Sequence, residues 1–166
     1  RTWGRSPLAR ARLGISYHSV DLLRWIAGDV DEVSGDYTPH ARIAILKFKN
    51  GAMGKVFSSG SVVRPYIMSL SVYGHEGTII CWWEEEILHG YLHKSAKWEP
   101  ARLKTTPLHG RGSPEWQYEM ENFVDSILED KAPLLRCPLS EGISTIETCL
   151  AIEEAMTHGT KVRVMN

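Results

Sequence analysis

The spacing of apolar residues divides the chain into a strand-rich middle and helical ends. From His18 to Ala27, Val20, Leu22, Leu23, Ile26 and Ala27 lie on one side of a predicted helix, and Gly28 follows where a helix stop is expected. Residues 30–38 then lead into 41–49, where Ile43, Ala44, Ile45, Leu46 and Phe48 make a dense β-type run. Asn50-Gly51 offers a two-residue hairpin turn, and residues 52–62 return with Gly and Ser positions that pack little, so the outer face of that strand needs a cover. Residues 67–73 alternate, with Met68, Leu70 and Val72 on one face and Ser69 and Ser71 on the other, and Gly74-His75-Glu76-Gly77 is the next turn. Residues 78–83 and 86–93 read as further strands of an antiparallel meander.

Residues 107–114 form a Gly/Pro-rich loop, the best internal boundary. Beyond it Trp116, Met120, Phe123, Val124 and Ile127 fall at helical spacing, with Ser113 as N-cap and Pro114 in the first turn. Ser140 is read as the cap of a last helix with Ile143, Ile146, Leu150 and Met156 near one face, Gly159 as its stop, and a closing strand over 161–165. Strands in one block with helices at both ends predict an α+β fold: one open, mostly antiparallel sheet with helices packed on one face. The other face, carrying Ile and Val, then calls for a subunit interface, a homodimer or tetramer through the open sheet.

Composition narrows the classes. With 43% hydrophobic and 23% charged residues the chain falls among globular domains and away from disorder, and 166 residues suit one domain, taken as 17–166 behind an irregular basic lead-in at 1–16. A net charge of -1 gives no field for nucleic acid or anionic membrane, and Trp3 among Arg1, Arg5, Arg10 and Arg12 is too little aromatic interleaving for a nucleic-acid arm. The basic start at Arg1 reads as a truncation. Cys81, Cys137 and Cys149 are odd in number and widely spaced, which fits a reducing, cytoplasmic setting. No apolar run reaches the ~20 residues of a membrane span.

Few residues carry candidate chemistry. His18 opens the first helix beside Tyr17, and a histidine there can exchange a proton near neutral pH, although a capping or packed role is the commoner fate; Asp21 reads as serving the first turn electrostatically. His89 and His93 have the spacing of a helical zinc pair, but in a strand that spacing separates the rings by ~13 Å, so no shared metal is expected. Glu84, Glu85 and Glu86 read as a solvated turn, and Trp82 and Trp83 as one core and one interface or pocket residue. Gly110-Arg111-Gly112 lacks the third glycine and preceding strand of a dinucleotide loop, and no nucleophile elbow or phosphate loop occurs.

The order of segments resembles the C-terminal domain of the glucose-fructose oxidoreductase, inositol dehydrogenase and rhizopine catabolism family. Tyr17-His18-Ser19-Val20-Asp21-Leu22-Leu23-Arg24-Trp25 is similar to its G-x-H-x-x-D-L-x-x-W/Y helix start; Phe48-Lys49-Asn50-Gly51-Ala52 to F-x-N-G-A; Val72 to Thr78 to V-x-G-x-x-G-T; Glu121 to Ile127 to E-x-F-v-d-a-I; and the ending Ala155 to Val164 to A-x-x-S-x-x-x-G-x-x-V-x-V. The resemblance covers about residues 17–164. It implies a catalytic, substrate-side His18 with Tyr17 beside the substrate, a principal acid/base lysine from an upstream half, NAD or NADP bound by that half and none by this chain alone, and hydride transfer at a carbinol carbon of a sugar or polyol. Gly14 stands where the family commonly has an aspartate, and Ala9-Arg10-Ala11-Arg12 where it is glycine-rich. A non-catalytic binding or assembly domain derived from the family is therefore the alternative.

Overall fold

The computed structural model describes residues 17–59, 68–82, 87–92, 101–104, 114–129 and 137–165. In chain order the elements are α1 (Tyr17–Ala27), β1 (Val30–Tyr37), β2 (Ala41–Phe48), β3 (Met53–Ser59), β4 (Ser69–Gly74), β5 (Gly77–Trp82), β6 (Ile87–Leu92), β7 (Ala101–Lys104), α2 (Pro114–Leu128), α3 (Leu139–His158) and β8 (Val162–Arg163). They fall into two units, one from residues 1–62 and 137–166, the other from 63–136. The α+β class and the open, antiparallel pairing hold, and α1 and α3 pack on one face of the first sheet. The strands, expected in a single sheet, are hydrogen-bonded as two sheets among the described residues, in the orders β3-β2-β1-β8 and β4-β5-β6-β7.

In the first unit, β2 alternates strictly: Ala44, Leu46 and Phe48 point inward and Ile43 and Ile45 outward. β1 breaks that rhythm, since Val30 and Val33 are both buried although three apart. A bulge resolves it: Val30 pairs with Phe48 and Glu32 with Lys47, so Asp31 is the extra residue and both valines reach one face. Onto that face pack Val20 from α1 and Cys149, Ile152, Ala155 and Met156 from α3, with Val56 and Val164 completing the core. Each fully buried aliphatic side chain contributes roughly 1.5–3 kcal/mol. Two glycines permit the close approach: a Cβ on Gly35 would meet the Ile43 carbonyl oxygen at 2.7 Å and Met156 Cε at 2.9 Å, and one on Gly54 would meet Leu23 Cδ1 at 3.2 Å. Arg42 pins α3 to the sheet through Glu153 at 3.0 Å.

The helix stops are as expected. Gly28 has φ 84° and Gly159 φ 63°, and the Gly159 N–H donates to the Ala155 carbonyl. The β2–β3 turn differs: Phe48 N–H donates to the Ala52 carbonyl and Gly51 N–H to the Phe48 carbonyl, so the loop has three residues, 49–51, with Gly51 left-handed at φ 88°. Ser140 is not a cap. Pro138 holds that position, fixed at φ -67°, and Ser140 lies inside the first turn. Of the apolar face expected for α3 only Met156 is buried: Ile143, Ile146 and Leu150 stand exposed, and the helix turns Thr145, Thr148, Cys149 and Ile152 inward with Met156. The closing strand is two residues long, pairing Val162 with Val33.

In the second unit β4, β5, β6 and β7 form an antiparallel meander. Gly74 pairs with Gly77 across a two-residue turn, and Leu70 and Val72 are more covered than Ser69 and Ser71, as the alternation predicts. β7 was not expected: Ala-Arg-Leu-Lys is too short for an alternation signal. Pro114 opens α2, whose Met120, Phe123, Val124 and Ile127 are exposed; Ser113, the expected cap, lies outside the described residues.

On the outer face of the first sheet Glu32 faces Lys47 across the strands at 3.0 Å, with Lys161 at 3.4 Å. The hydrogen bond from Lys47 is the main cause that lowers the Glu32 pKa below its ordinary 4.5, and the same bond raises Lys47 above 10.5. A depressed carboxylate stabilises the fold above its unfolded pKa and loses that contribution as pH falls through its folded value; a raised lysine is the mirror case at high pH. Urea midpoints of Glu32→Gln and the parent are therefore expected to differ by a constant amount between about pH 5 and 10 and to converge in acid.

Candidate functional site

Tyr17 and His18 form the first turn of α1, and both side chains are exposed. Their rings are in contact, with centroids 4.1 Å apart and planes inclined by 41°. A helix start leaves backbone N–H groups without helical acceptors and carries the positive end of the helix dipole, so anionic or hydroxyl-bearing groups are favoured there. An accessible imidazole at that point can exchange a proton with a ligand, which a histidine sealed in the core could not.

The rest of α1 is anchored. Val20, Leu23 and Ala27 face the core, and between them Arg24 is buried too. Its Nη1 donates to the Glu141 carbonyl at 3.0 Å and to Thr145 Oγ1 at 2.9 Å, while Nη2 reaches Glu141 Oε2 at 3.1 Å and Asp29 Oδ1 at 3.5 Å. Thr145 Oγ1 then donates to Asp21 Oδ1 at 2.7 Å. Asp21 thus ties α1 to α3, a more specific task than the first-turn electrostatics expected of it. The Arg24 Nε is buried without a partner among the described residues, so its guanidinium is spent on α3 and Asp29 alone. At the other end of α1, Asn50 Nδ2 donates to the Ala27 carbonyl at 2.9 Å and Asn50 Oδ1 accepts from the Ala52 N–H, which welds the helix end to the β2–β3 turn.

His89 lies in β6, paired with Ile80 and Arg102, and so is in a strand as expected. His93, Trp83, Glu84 to Glu86, Gly110 to Gly112, Gly14 and the arginines of the lead-in lie outside the described residues. Among the described residues no three His, Cys, Asp or Glu side chains gather as a metal site. All strand pairs between them are antiparallel, so they contain no strand–helix–strand crossover whose helix start could hold a pyrophosphate. No helix among them is long and apolar enough to cross a membrane.

The cysteines differ in environment. Burial pushes the Cys149 thiol up to about 11, whereas Cys137 is exposed. At pH 8 Cys137 is expected to be alkylated by iodoacetamide at least about tenfold faster than Cys149, because the thiolate is the nucleophile. Mass spectrometry of the partly labelled chain reads the ratio.

Residues 11–164 match the family model described as the oxidoreductase family, C-terminal alpha/beta domain. The chain belongs to this family. Solved structures agree in fold: levoglucosan dehydrogenase in complex with NADH and L-sorbose is 19% identical with a TM-score of 0.75, over 92% of this chain and 49% of its own. An Agrobacterium radiobacter oxidoreductase in complex with NAD+, L-tartaric acid and magnesium is 17% identical with a TM-score of 0.71, over 89% and 47%. UDP-N-acetylglucosamine 3-dehydrogenase from Acidithiobacillus ferrooxidans is 17% identical with a TM-score of 0.68, over 86% and 45%. The chain spans about half the length of each. No curated protein matches it.

Within this family domain the structure adds Arg24 and Thr145 to Asp21 as the residues that tie α1 to α3. A trace of Arg24 was present in the spacing of His18, Asp21 and Arg24, polar residues three apart along α1.

Proposed function

We propose that this chain is the substrate-side domain, residues 17–166, of a nicotinamide-dependent oxidoreductase that acts on a hydroxyl-bearing carbon of a sugar, polyol or related compound. His18 is the residue that exchanges the hydroxyl proton, and Tyr17 lines the substrate beside it. The observation that carries this reading is the exposed His18 in the first turn of a helix whose remainder is anchored by Arg24 and Asn50. The similar structures support it through the hydroxylated compounds named with them, L-sorbose and L-tartaric acid, and through their NADH or NAD+. NAD or NADP is assigned to an upstream domain, which supplies the dinucleotide site and, when loaded, accepts or gives the hydride. The isolated chain is then inactive.

The outer face of the first sheet is the proposed subunit interface of a homodimer or tetramer. Ile43 pairs with Phe57 and Lys47 with Met53 on that face, and Ile43, Ile45, Phe57 and Met53 are all exposed. Apolar surface gathered in this way marks an association site.

The second reading, a binding or assembly domain without catalysis, is favoured by Gly14 in the place of the family's aspartate. Joining the chain to a complete dinucleotide-binding half and assaying NAD(H) and NADP(H) turnover across polyols and sugars separates the two. Turnover of a hydroxylated substrate supports the proposal. Tight cofactor binding with no turnover of any substrate overturns it in favour of the second reading.

A further inference from the structure

We infer that Asp21, Thr145 and Arg24 form a positioning device for His18, in which the single hydroxyl of Thr145 sets the rotation of α1 about its axis. The inference rests on the reading of His18 as the residue that meets the substrate. α1 has 11 residues, too few to be stable as an isolated helix, so its orientation comes from its contacts. Its apolar contacts, Val20, Leu23 and Ala27, are non-directional and tolerate sliding and rotation. The polar ones do not.

A threonine hydroxyl has one proton and accepts through its lone pairs. Here Arg24 Nη1 donates into Oγ1 at 2.9 Å and the Oγ1 proton goes on to Asp21 Oδ1 at 2.7 Å, so every donor and acceptor in the chain of bonds has a fixed sense. Asp21 and Arg24 stand three residues apart on α1 and converge on one atom of α3, and two lines to one point fix a rotation that one line would leave free. The first of these bonds is buried, and a charge-assisted bond out of water is strong and directional. Glu141 adds a second grip on Arg24 one turn earlier on α3, through its carbonyl at 3.0 Å and its carboxylate at 3.1 Å. His18 lies three residues before Asp21, so one helical turn carries the fixed point to the imidazole. Asp21, Thr145 and Arg24 touch no substrate in this arrangement; they act through the helix.

The test uses the 166-residue chain and reads the ring rather than turnover. The His18 imidazole resonances are identified by their loss in His18→Gln, and amide hydrogen exchange is followed along α1. Thr145→Val, which keeps the shape and removes the hydroxyl, is expected to move the His18 resonances toward their values in the urea-unfolded chain and to raise exchange at 18–24 by about tenfold or more, the range for losing a bond to a charged group. Thr145→Ser restores both. Should Thr145→Val fail to fold, the Asp21 pair decides: Asp21→Asn keeps an oxygen to accept the hydroxyl proton and leaves His18 in place, whereas Asp21→Leu displaces it. Faster exchange with unmoved His18 resonances, or no rescue by serine, overturns the inference and leaves a purely structural tie. Because no step of this test requires turnover, failure of the functional reading of His18 would show separately, as catalysis that ignores the loss of that ring.

Discussion

Replacing His18 by alanine, in the chain joined to a complete dinucleotide-binding half, is expected to lower kcat by about 10²–10⁴-fold, the usual contribution of a positioned acid or base. The loss is expected in kcat more than in KM, because a group whose proton moves in the transition state adds little to ground-state binding. Folding should be almost untouched, with the denaturation midpoint shifted by no more than the ~0.5 kcal/mol typical of a surface site, since the ring is exposed and its aromatic contact among the described residues is with its sequence neighbour Tyr17. His89→Ala is the control, as His89 lies within β6 of the other unit. Following NADH absorbance under saturating substrate measures both. A His18→Ala enzyme that keeps kcat within about twofold would remove His18 from the chemistry.

Ile152→Ala is expected to cost roughly 2–5 kcal/mol of stability, whereas Leu150→Ala, two residues away on the same helix, should cost no more than about 1 kcal/mol. Ile152 is 0% exposed and sits where α3 meets the sheet, so its truncation leaves a cavity that the strands behind it cannot collapse to fill. Leu150 is 55% exposed and truncating it opens no cavity. Urea midpoints of the two variants, taken with the parent at one pH, give the comparison. Equal losses would mean that the exposed stripe of α3, not its sheet-facing side, holds the fold.

This contrast also marks how far the pattern of residues could be read. Helix positions and stops were legible because their causes are local: Gly28 and Gly159 take up left-handed backbone that other residues resist, and Pro114 suits a first turn. The alternation in β2 and β4 gave the buried faces directly. α3 misled because it is apolar on two sides, and periodicity cannot say which of two stripes meets the sheet. The bulge at Asp31 was hidden because one unpaired residue leaves no mark in composition. All the strands but β7 were foreseen, but not their partition into two sheets, since hydrogen-bond partners depend on where distant segments meet. His18 is proposed from the resemblance and from its exposed place in the first turn of α1. Arg24 and Thr145 were not, because 121 residues separate them in the chain and an arginine on a helix reads as solvent-facing by default.

The division of the first unit has a bearing on how the chain is made. Its sheet begins in residues 30–59, but α3, the longer of the two helices that pack on it, starts only at Leu139, about 80 residues later. At roughly 5–20 residues per second of synthesis, the nascent hairpins hold Leu46, Phe48 and Val56 without α3 for about 4–16 s before the first residue of that helix is made. During that interval the wet apolar face is a natural client for chaperones, and slowed translation between β3 and α3 lengthens the exposure.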